Sequence, residues 1–534
     1  MPKLTIDGKE IEVPAGTRLI ESAARVGIEI PHYCYHPALK VPGNCRMCLV
    51  EIDKAPKLQI ACNTAATDGM VVHTRSERTK AAHRAVLEFL LINHPIDCPV
   101  CDQAGECKLQ DYYMDYDQQP SRFPLDEKNR KGKAIDIGSG IMLDQERCIL
   151  CARCTRFFDD VTRTGELGIF ERGDRSRIDV HPGRKVDNKY AGNVVDICPV
   201  GALTEKEFRF RMRVWYLHRT PSVCGGCERG CAIDIYHHRG RIYRFKPREN
   251  PAVNGFWICD EGRHSFPNLQ RETRLTSPLW QSDDRLKAEP WSAAIGRAAS
   301  QIAGAKAAGG ANSIGAVIGA QATNEEAYAL KRLMAAIGSK HVAGLSFTPP
   351  GLSGDDDLLI RANKNPNSRG LAAMGIASDG LAQFAAGVAA GELRTLIVMR
   401  ADLVRALGED EFLRRFGALD YLIVLDTDLN ETCQMANQVL PIAAYPELDG
   451  SFTNFNGQVQ RLCRAFEPPG NAIAGIDAIA RIGEALGVND IPRTAEKVFA
   501  AMAAAEPAFH GLYLDALGPH GAPLATMGEA AAAT

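Results

Sequence analysis

Four groups of four metal-binding side chains follow one another in the first half of this 534-residue chain. The most unusual group joins one imidazole to three thiols in the order His-x3-Cys-x2-Cys-x5-Cys. Because imidazole and thiolate are ligands of zinc and of iron-sulfur centres, four such groups predict a line of metal centres, which could carry electrons. We number them in chain order as the first set, Cys34, Cys45, Cys48 and Cys62; the second set, His94, Cys98, Cys101 and Cys107; the third set, Cys148, Cys151, Cys154 and Cys198; and the fourth set, Cys224, Cys227, Cys231 and Cys259.

The distribution of cysteine favours metal binding over disulfides. Of 17 cysteines, 15 lie between Cys34 and Cys259, and we expect the other two, Cys433 and Cys463, to be core or surface thiols. The N-terminal stretch lacks the apolar segment of a signal peptide, and no apolar run approaches the roughly 18 residues of a spanning helix. The sequence therefore predicts a soluble chain in a reducing compartment, where regularly spaced thiols bind metal.

Composition excludes little else. With 45% hydrophobic residues, 24% charged residues and a net charge of -3, the chain is typical of a globular protein and gives no sign of binding nucleic acid. Residues 203–248 are locally basic, with eleven Lys or Arg and four Asp or Glu. This stretch is either a solvated face or a positive surface that offsets cluster charge or docks an acidic partner. The sequence has neither a dinucleotide-binding G-x-G-x-x-G after a strand nor a P-loop.

The first set follows a small α+β pattern. Residues 3–13 alternate and turn at Asp7-Gly8, which predicts a hairpin, and a helix is predicted from Thr17 to Val26. Gly43-Asn44 precedes the close cysteine pair, where glycine lets the backbone approach inorganic sulfide. The loop resembles that of plant-type 2Fe-2S ferredoxins, although its first gap is ten residues instead of four. We predict a 2Fe-2S centre, with zinc or unligated thiols as the alternatives.

The second set lies just after a predicted helix at 77–92. Pro95 ends this helix beside His94, and three thiols follow within one loop. We predict a 4Fe-4S cluster with one imidazole ligand; alternatively His94 is a helix-terminal histidine near a three-thiol site. His83, on the helix itself, has no cysteine at a matching offset and is expected to be a surface or packing residue.

The third and fourth sets each predict a 4Fe-4S cluster. The third begins with the C-x2-C-x2-C run of bacterial ferredoxins, and Cys198-Pro199 completes it because no second triad precedes Cys198. In the fourth set, a hairpin turning at Arg239-Gly240 is expected between the third thiol and Cys259. Zinc remains the alternative in the fourth set, since widely split four-cysteine sets are common in zinc ribbons.

The C-terminal half has the pattern of an α/β domain. Residues 313–318 predict a buried strand, and a capping box at Thr323 opens a helix that ends at Gly338. Residues 395–425 contain two apolar strands with a helix between them, which is a βαβ unit and predicts a parallel sheet covered on both faces. The Ala-, Gly- and Pro-rich tail after about residue 507 is predicted to be mobile.

With these motifs in view, the chain resembles a known family over nearly its whole length. The family is that of the large iron-sulfur subunit (the G subunit) of bacterial NADH-quinone oxidoreductase, respiratory complex I. The runs that carry the resemblance, besides the third set and the Cys224 group, are GNCRMCLVE (43–51), HPIDCPVCDQAGECKLQDYYM (94–114), VNGFWICDEGR (253–263), NETCQMANQVLP (430–441) and DGSFTNFNGQVQR (449–461).

The resemblance implies α+β ferredoxin-like cluster domains followed by an α/β molybdopterin-oxidoreductase-like domain with a parallel sheet. That last domain carries no molybdenum in the family and looks shortened here. The expected domains are a 2Fe-2S ferredoxin-type domain at 1–76, a His/Cys-ligated 4Fe-4S domain at 77–120, a ferredoxin-like 4Fe-4S domain at 121–212, a molybdopterin-type 4Fe-4S domain at 213–273 and the α/β domain at 274–534.

In function, the resemblance implies an electron-transfer subunit without a complete active site or catalytic residue of its own. One 2Fe-2S and three 4Fe-4S clusters would carry electrons from a flavoprotein that binds NADH and FMN toward quinone. The fourth set would hold a side centre that only some members have. The partners would be the flavoprotein and other peripheral-arm subunits at the cytoplasmic side of the cell membrane, with membrane contact only through those subunits.

Two alternatives remain open at this point. The first is the iron-sulfur subunit of a soluble NAD-linked formate dehydrogenase or hydrogenase, which uses similar motifs. A formate dehydrogenase needs a larger molybdenum-bearing domain, and a hydrogenase subunit usually ends soon after the ferredoxin-like clusters. The second alternative is a zinc-binding scaffold protein with no redox role.

Overall fold

The chain forms two compact units, Met1–Leu217 and His218–Thr534. The computed structural model of the protein describes residues 1–117, 120–283, 285–376, 378 and 380–525. In these ranges no helix is long and apolar enough to cross a membrane. The finer division into five domains stays a prediction.

The N-terminal unit begins with a five-stranded sheet in the order β2-β1-β5-β3-β4. The predicted hairpin is confirmed, with Asp7 and Gly8 at φ values of 43° and 82° in its turn. Apolar side chains of the sheet, such as Ile6 and Val72, pack against Leu19 of the single helix. The bounds are β1 Lys3–Ile6, β2 Lys9–Glu12, α1 Leu19–Arg25, β3 Leu49–Ile52, β4 Gln59–Ile60 and β5 Val71–His73.

Four helices and two small sheets complete the part of this unit that the structure describes. The predicted helix at 77–92 is observed as α2, and His83 on it is a buried packing residue whose Nε2 lies 3.0 Å from the Leu49 carbonyl oxygen. The small sheets are β10-β7-β6 and β8-β9. The bounds are α2 Glu77–Leu91, α3 Lys108–Tyr116, β6 Ile135–Gly138, β7 Ile141–Leu143, α4 Arg153–Asp160, β8 Leu167–Phe170, β9 Arg177–Val180, α5 Asn193–Ile197 and β10 Leu203–Glu205.

The second unit opens with a three-stranded antiparallel sheet. The predicted hairpin turn is confirmed at Arg239 and Gly240, both in the left-handed region, with φ values of 48° and 72°. The bounds are β11 His218–Val223, β12 Ala232–His238, β13 Arg241–Pro247 and α6 Asp260–Arg263.

A seven-stranded sheet in the order β15-β14-β20-β19-β18-β16-β17 forms the centre of the second unit. Its last five strands are parallel, and the predicted βαβ unit is confirmed. Successive residues of a strand face opposite helical layers: Ile397 joins the core with α7, α8 and α14, and Val398 joins the core with α10 and α12. The strands are β14 Leu279–Ser282, β15 Arg285–Ala288, β16 Ile314–Gly319, β17 Val342–Leu345, β18 Thr395–Met399, β19 Tyr421–Asp426 and β20 Gln438–Pro441.

The helices of this domain follow their capping signals. The Thr323 hydroxyl accepts from the Glu326 N–H and the Glu326 carboxylate accepts from the Thr323 N–H, so the predicted capping box is confirmed, as is the end at Gly338. The bounds are α7 Trp291–Gly309, α8 Asn324–Ile337, α9 Ser368–Ala373, α10 Leu381–Ala389, α11 Leu403–Leu407, α12 Glu409–Phe416, α13 Glu431–Gln434, α14 Gly475–Ala485 and α15 Ala495–Ala505.

The residues from 507 onward differ from the mobile tail that we predicted. Phe509 and Leu514 are buried in the main core of the second unit. A last strand, β23 Ala522–Pro523, joins β21 Gly450–Thr453 and β22 Gln458–Leu462 in a three-stranded sheet. Composition misled the prediction, because scattered apolar residues in an Ala- and Gly-rich stretch are enough to anchor it. The prediction for 526–534 lies outside the described residues.

A buried ion pair holds the start of α8 to the end of β18. Arg400 donates from Nε to one Glu326 oxygen at 2.7 Å and from a terminal nitrogen to the other at 2.6 Å. The two side chains are only 7% and 2% exposed. Glu326 therefore has two roles: it completes the capping box of α8, and it is the counter-ion of the buried Arg400 guanidinium.

We expect Glu326→Gln to lower the free energy of unfolding of the second unit by about 3–5 kcal/mol, because it removes the carboxylate charge that is hydrogen-bonded to the buried Arg400 guanidinium. Urea unfolding of the full chain, followed by circular dichroism, measures the change. The matched control is Asp490→Asn, which removes the exposed partner of Arg332 and is expected to cost less than about 1 kcal/mol. Equal losses in the two variants would contradict the prediction.

Candidate metal centres

The first set is brought together by the loops around β3 and β4. Cys34, Cys48 and Cys62 are buried and Cys45 is half-buried. The Cys34 N–H donates to Cys45 Sγ at 3.5 Å, and the Cys34 thiol is also hydrogen-bonded to that of Cys62. All four predicted residues therefore lie at one place.

Hydrogen bonds between these thiols shift their pKa values in opposite directions. Bonds with Cys45 and Cys62 lower the pKa of the Cys34 thiol, and bonds with Cys34 and Cys48 raise the pKa of the Cys62 thiol. Binding a metal through all four sulfurs has to release the thiol protons.

Three members of the second set, His94, Cys98 and Cys107, help to line a cavity of about 610 Å³. His94 lies just beyond α2, and Cys107 is the N-cap of α3. Cys101 is not part of the cavity lining, but its thiol is close enough to those of Cys98 and Cys107 to interact with them electrostatically. Between His94 and Cys98, Ile96 has a φ of 52°, a costly conformation for a β-branched residue that marks this loop as constrained.

The His94 imidazole is suited to metal binding in its charge state. Burial, reinforced by the nearby cations of Lys128 and Arg147, lowers its pKa to about 4 against the opposing effect of Asp97, so the ring is neutral near pH 7. Its Nδ1 accepts a hydrogen bond from the Ile96 N–H at 3.1 Å. An iron bound at Nδ1 would have to replace that hydrogen bond.

The third set lines one small apolar cavity, including the distant Cys198. Cys154 lies on α4 and Cys198 is the C-cap of α5. The backbone turns sharply between the first three thiols, since Leu150 and Ala152 have φ values of 53° and 57°. The Leu150 N–H donates to Cys148 Sγ at 3.4 Å, the kind of hydrogen bond that stabilises a cluster ligand.

Burial keeps the thiols of the third set neutral in the absence of metal. It raises the pKa of Cys148 to about 12 and that of Cys151 to about 11. The chemistry of this donor set fits a cationic iron core, because only a bound metal charge makes four buried thiolates favourable together.

The first and last cysteines of the fourth set lie beside Gly262, near the start of the second unit. All four thiols are buried. A Cβ added to Gly262 would lie 2.9 Å from Cys224 Sγ and 3.4 Å from Cys259 Sγ, so the two ends of the set converge there. The Gly226 N–H donates to Cys224 Sγ at 3.4 Å, and the Gly262 N–H donates to Cys259 Sγ at 3.3 Å. Two glycines thus bring backbone donors to the sulfurs.

Two arginines of α4 connect the third set to the first. Arg156 donates to the carbonyl oxygens of Cys34 and Cys151, one from each set. Arg153 donates to the carbonyl oxygen of Tyr35, next to the first set, and to that of Ile197, next to Cys198.

The third set also contacts the second. Arg147, which precedes Cys148, donates to both oxygens of Asp97, which precedes Cys98, at 2.9 and 2.6 Å. Gly201, just after Cys198-Pro199, lies so close to Cys101 Sγ that a Cβ there would clash with the sulfur. From the basic stretch, Arg213 donates to the Cys101 carbonyl oxygen at 2.6 Å. Residues next to the third set therefore contact both the first and the second set, although the third set comes last of the three in the sequence.

One apolar cluster joins all three sets. It contains Tyr33, Met47, Leu87, Leu109, Tyr112, Val200 and Ala202 together with Cys34 and Cys151, and Cys45, Cys107, Cys148 and Cys198 pack against it. In the described part of the chain the buried Tyr33 hydroxyl has no hydrogen-bond partner. Such a group normally finds an acceptor, and the sulfur of a bound cluster would supply one.

Sequence reasoning missed the residues that connect the sets. Arg147, Arg156 and Gly201 each lie within three residues of a ligand in the sequence. Their closeness to a ligand in the sequence was the signal that could have identified them. The spacing of the ligands does not show which distant loop each of the three residues contacts. Cys433 and Cys463 lie apart from the ligand sets, one buried and one half-buried, as expected for non-ligand thiols.

Within the described ranges, no three His, Cys, Asp or Glu side chains are arranged to hold a single metal ion.

Five family models match successive parts of the chain. They describe a 2Fe-2S iron-sulfur cluster binding domain (residues 2–77), the NADH-ubiquinone oxidoreductase-G iron-sulfur binding region (83–122), the ferredoxin-like domain of NADH-quinone oxidoreductase subunit 3 (138–204), the Fe4S4 domain of molybdopterin oxidoreductase (217–268) and molybdopterin oxidoreductase (362–485). The predicted fold class, of ferredoxin-like cluster domains followed by a molybdopterin-oxidoreductase-like domain, is confirmed.

Curated relatives agree with the family models. The chain is 42% identical to the G subunit of NADH-quinone oxidoreductase from Streptomyces coelicolor over 62% of its own length and 39% of the relative, and 39% identical to that from Rickettsia felis over 65% and 51%. It thus spans about half the length of these relatives or less. The resemblance to this large iron-sulfur subunit is confirmed. Among solved structures, an NAD+-reducing [NiFe]-hydrogenase is 32% identical over 40% of this chain and 91% of that chain, with a TM-score of 0.36.

We expect Gly201→Ala to disturb the metal centre of the second set, because the added methyl group displaces Cys101 Sγ. Metal content and the spectrum of that centre provide the measurement. Gly296→Ala is the matched control, since a Cβ at Gly296 meets nothing within 4 Å. A Gly201→Ala protein with unchanged metal content and spectrum would show that this close approach does not matter.

Proposed function

We propose that this chain is an electron-transfer subunit of NADH-quinone oxidoreductase (complex I), passing electrons from the subunit that binds NADH and FMN toward quinone. The observation that carries the proposal is the gathering of three ligand sets around one buried apolar cluster. Centres that share a core are close neighbours, as stepwise transfer of single electrons requires. The matched iron-sulfur domains supply the chemistry.

The cofactors in this proposal are one 2Fe-2S and three 4Fe-4S clusters. The first set would bind the 2Fe-2S cluster, and the second, third and fourth sets one 4Fe-4S cluster each, with His94 as the single imidazole ligand. Such clusters supply one-electron redox chemistry at potentials that the ligands and nearby hydrogen bonds adjust. The α/β domain would carry no molybdenum.

We further propose that electrons pass from the first set to the third and then to the second. Arg156 contacts carbonyl groups of the first and third sets, and Arg147 and Gly201 contact the second set from the third. The order in space then differs from the order in the sequence. The fourth set belongs to the other compact unit and, as the resemblance implies, would be a side centre.

The partners we propose are the flavoprotein that binds NADH and FMN and the other subunits of the peripheral arm. The complex would place this chain at the cytoplasmic side of the cell membrane, with membrane contact through partner subunits only. An NAD-linked formate dehydrogenase or hydrogenase would instead bring different partners. Identification of the proteins that co-purify with the chain distinguishes these assemblies.

A zinc-binding scaffold is the second alternative, and the surroundings of the ligand sets bear on it. Each set has buried thiols, and backbone N–H groups donate to sulfur in the first, third and fourth sets. Hydrogen bonds to sulfur are a regular feature of cluster sites.

We expect the purified protein to contain about 14 iron atoms per chain, with visible absorption near roughly 400 nm that dithionite bleaches, as the proposed clusters require. Metal analysis and absorption spectroscopy on protein prepared without oxygen provide the measurement. Stoichiometric zinc without that absorption band would exclude the electron-transfer function.

We expect His94→Ala to alter the EPR signal of one 4Fe-4S cluster and to slow electron flow from NADH to quinone, because one iron loses its protein ligand. The measurement is EPR of the reduced complex together with NADH-quinone turnover. His181→Ala is the matched control, as His181 is exposed and lies apart from the ligand sets. Wild-type spectra and turnover in His94→Ala would rule out His94 as a ligand.

A further inference from the structure

A segment of the α/β domain lies directly against the fourth ligand set. Residues 362–367, the last part of the connection from β17 to α9, come from the region matched as molybdopterin oxidoreductase, whereas the cysteine loop comes from the region matched as its Fe4S4 domain. The Glu228 N–H donates to the Asn363 carbonyl oxygen at 3.0 Å, and Asn363 Nδ2 donates to the Glu228 carboxylate at 3.0 Å. Glu228 follows Cys227, so this segment is fixed beside a ligand.

The same segment places a buried cation near the cluster site. The Lys364 side chain is only 5% exposed, and its Nζ lies 2.8 Å from Glu261 Oε1. Glu261 comes two residues after Cys259, on the short helix α6. Both charges act on the Cys227 thiol, Lys364 favouring its ionised form and Glu261 opposing it.

The backbone of Lys364 is held on both sides. Its N–H donates to Thr348 Oγ1 at 3.1 Å, and its carbonyl oxygen accepts from Gln321 Nε2 at 2.9 Å. A buried ammonium is costly unless it is paired, and here the single carboxylate partner is 29% exposed. The α/β domain therefore helps to fix the position of Lys364 through its backbone.

We propose that the α/β domain sets the reduction potential of the fourth cluster through the Lys364–Glu261 pair. The inference rests on the proposed function, which assigns a 4Fe-4S cluster to the fourth set. Reduction adds one electron, and hence one negative charge, to the cluster, while Lys364 keeps its proton and no bond forms or breaks. The buried ammonium stabilises the reduced state, and the carboxylate of Glu261 destabilises it.

The two charges therefore make predictions of opposite sign. Lys364→Met leaves Glu261 unopposed, so the midpoint potential of the fourth cluster should become more negative. Glu261→Gln leaves Lys364 unopposed, so the potential should become more positive. Lys364→Arg keeps the positive charge and should stay near the wild-type potential. A pair that only holds the fold together would not shift the potential in opposite directions.

The experiment is an EPR-monitored redox titration of the full complex, with dithionite as the one-electron reductant. The Cys231→Ala variant, which removes one ligand atom, identifies the signal of the fourth cluster by its change or loss. The signals of the other clusters are internal references, and Lys306→Met, which removes an exposed lysine from the same domain, is the matched control. Opposite shifts in Lys364→Met and Glu261→Gln support the proposal.

An unchanged potential in both variants, or shifts of the same sign, would overturn the inference while leaving the proposed electron-transfer function intact. If Lys364→Met fails to bind the cluster, Glu261→Gln alone decides: a more positive potential supports the inference, and an unchanged one overturns it. If Cys231→Ala leaves every iron-sulfur signal unchanged, then no cluster occupies the fourth set. In that case the assignment in the proposed function fails, and this inference fails with it.

Discussion

Burial of sulfur ligands among apolar side chains is the constraint on which the N-terminal unit depends. Six of its cysteines belong to or pack against one apolar cluster, so these proposed ligands are also core residues. Burial raises the pKa of the Cys148 thiol to about 12, which favours its neutral form until a metal binds. Metal binding and completion of the core are then coupled events.

Arginine has a second role in this core. The ligand loops turn sharply and leave carbonyl groups that no strand or helix satisfies, and a buried carbonyl without a donor is costly. Arg153, Arg156 and Arg213 donate to such carbonyls from distant parts of the chain. The same guanidinium groups bring positive charge to sites where the proposed clusters would need thiolates. The same arginines therefore donate hydrogen bonds to buried carbonyl groups and supply positive charge.

Local patterns were enough to predict much of this structure. The hairpin at Asp7-Gly8, the capping box at Thr323 and the βαβ unit at 395–425 each depend on residues near one another in sequence, and each is confirmed. The four ligand sets are also visible as spacings. By contrast, the contact of Arg156 with Cys34 joins residues 122 positions apart, and that of Arg147 with Asp97 joins residues 50 apart. Contacts of this kind depend on tertiary packing. The order of the ligand sets in space could therefore not be predicted from the sequence.

The contacts of Cys101 bear on how the protein matures during synthesis. This cysteine emerges from the ribosome about 100 residues before Gly201 and Arg213, the two residues that contact its thiol and its carbonyl oxygen. The environment of the second set is therefore incomplete until the ferredoxin-like region has been translated and folded. A cell that inserts clusters one by one as the chain grows would meet an unfinished site at His94. Insertion into the completed N-terminal unit, after translation of residue 213, is the route that this geometry favours.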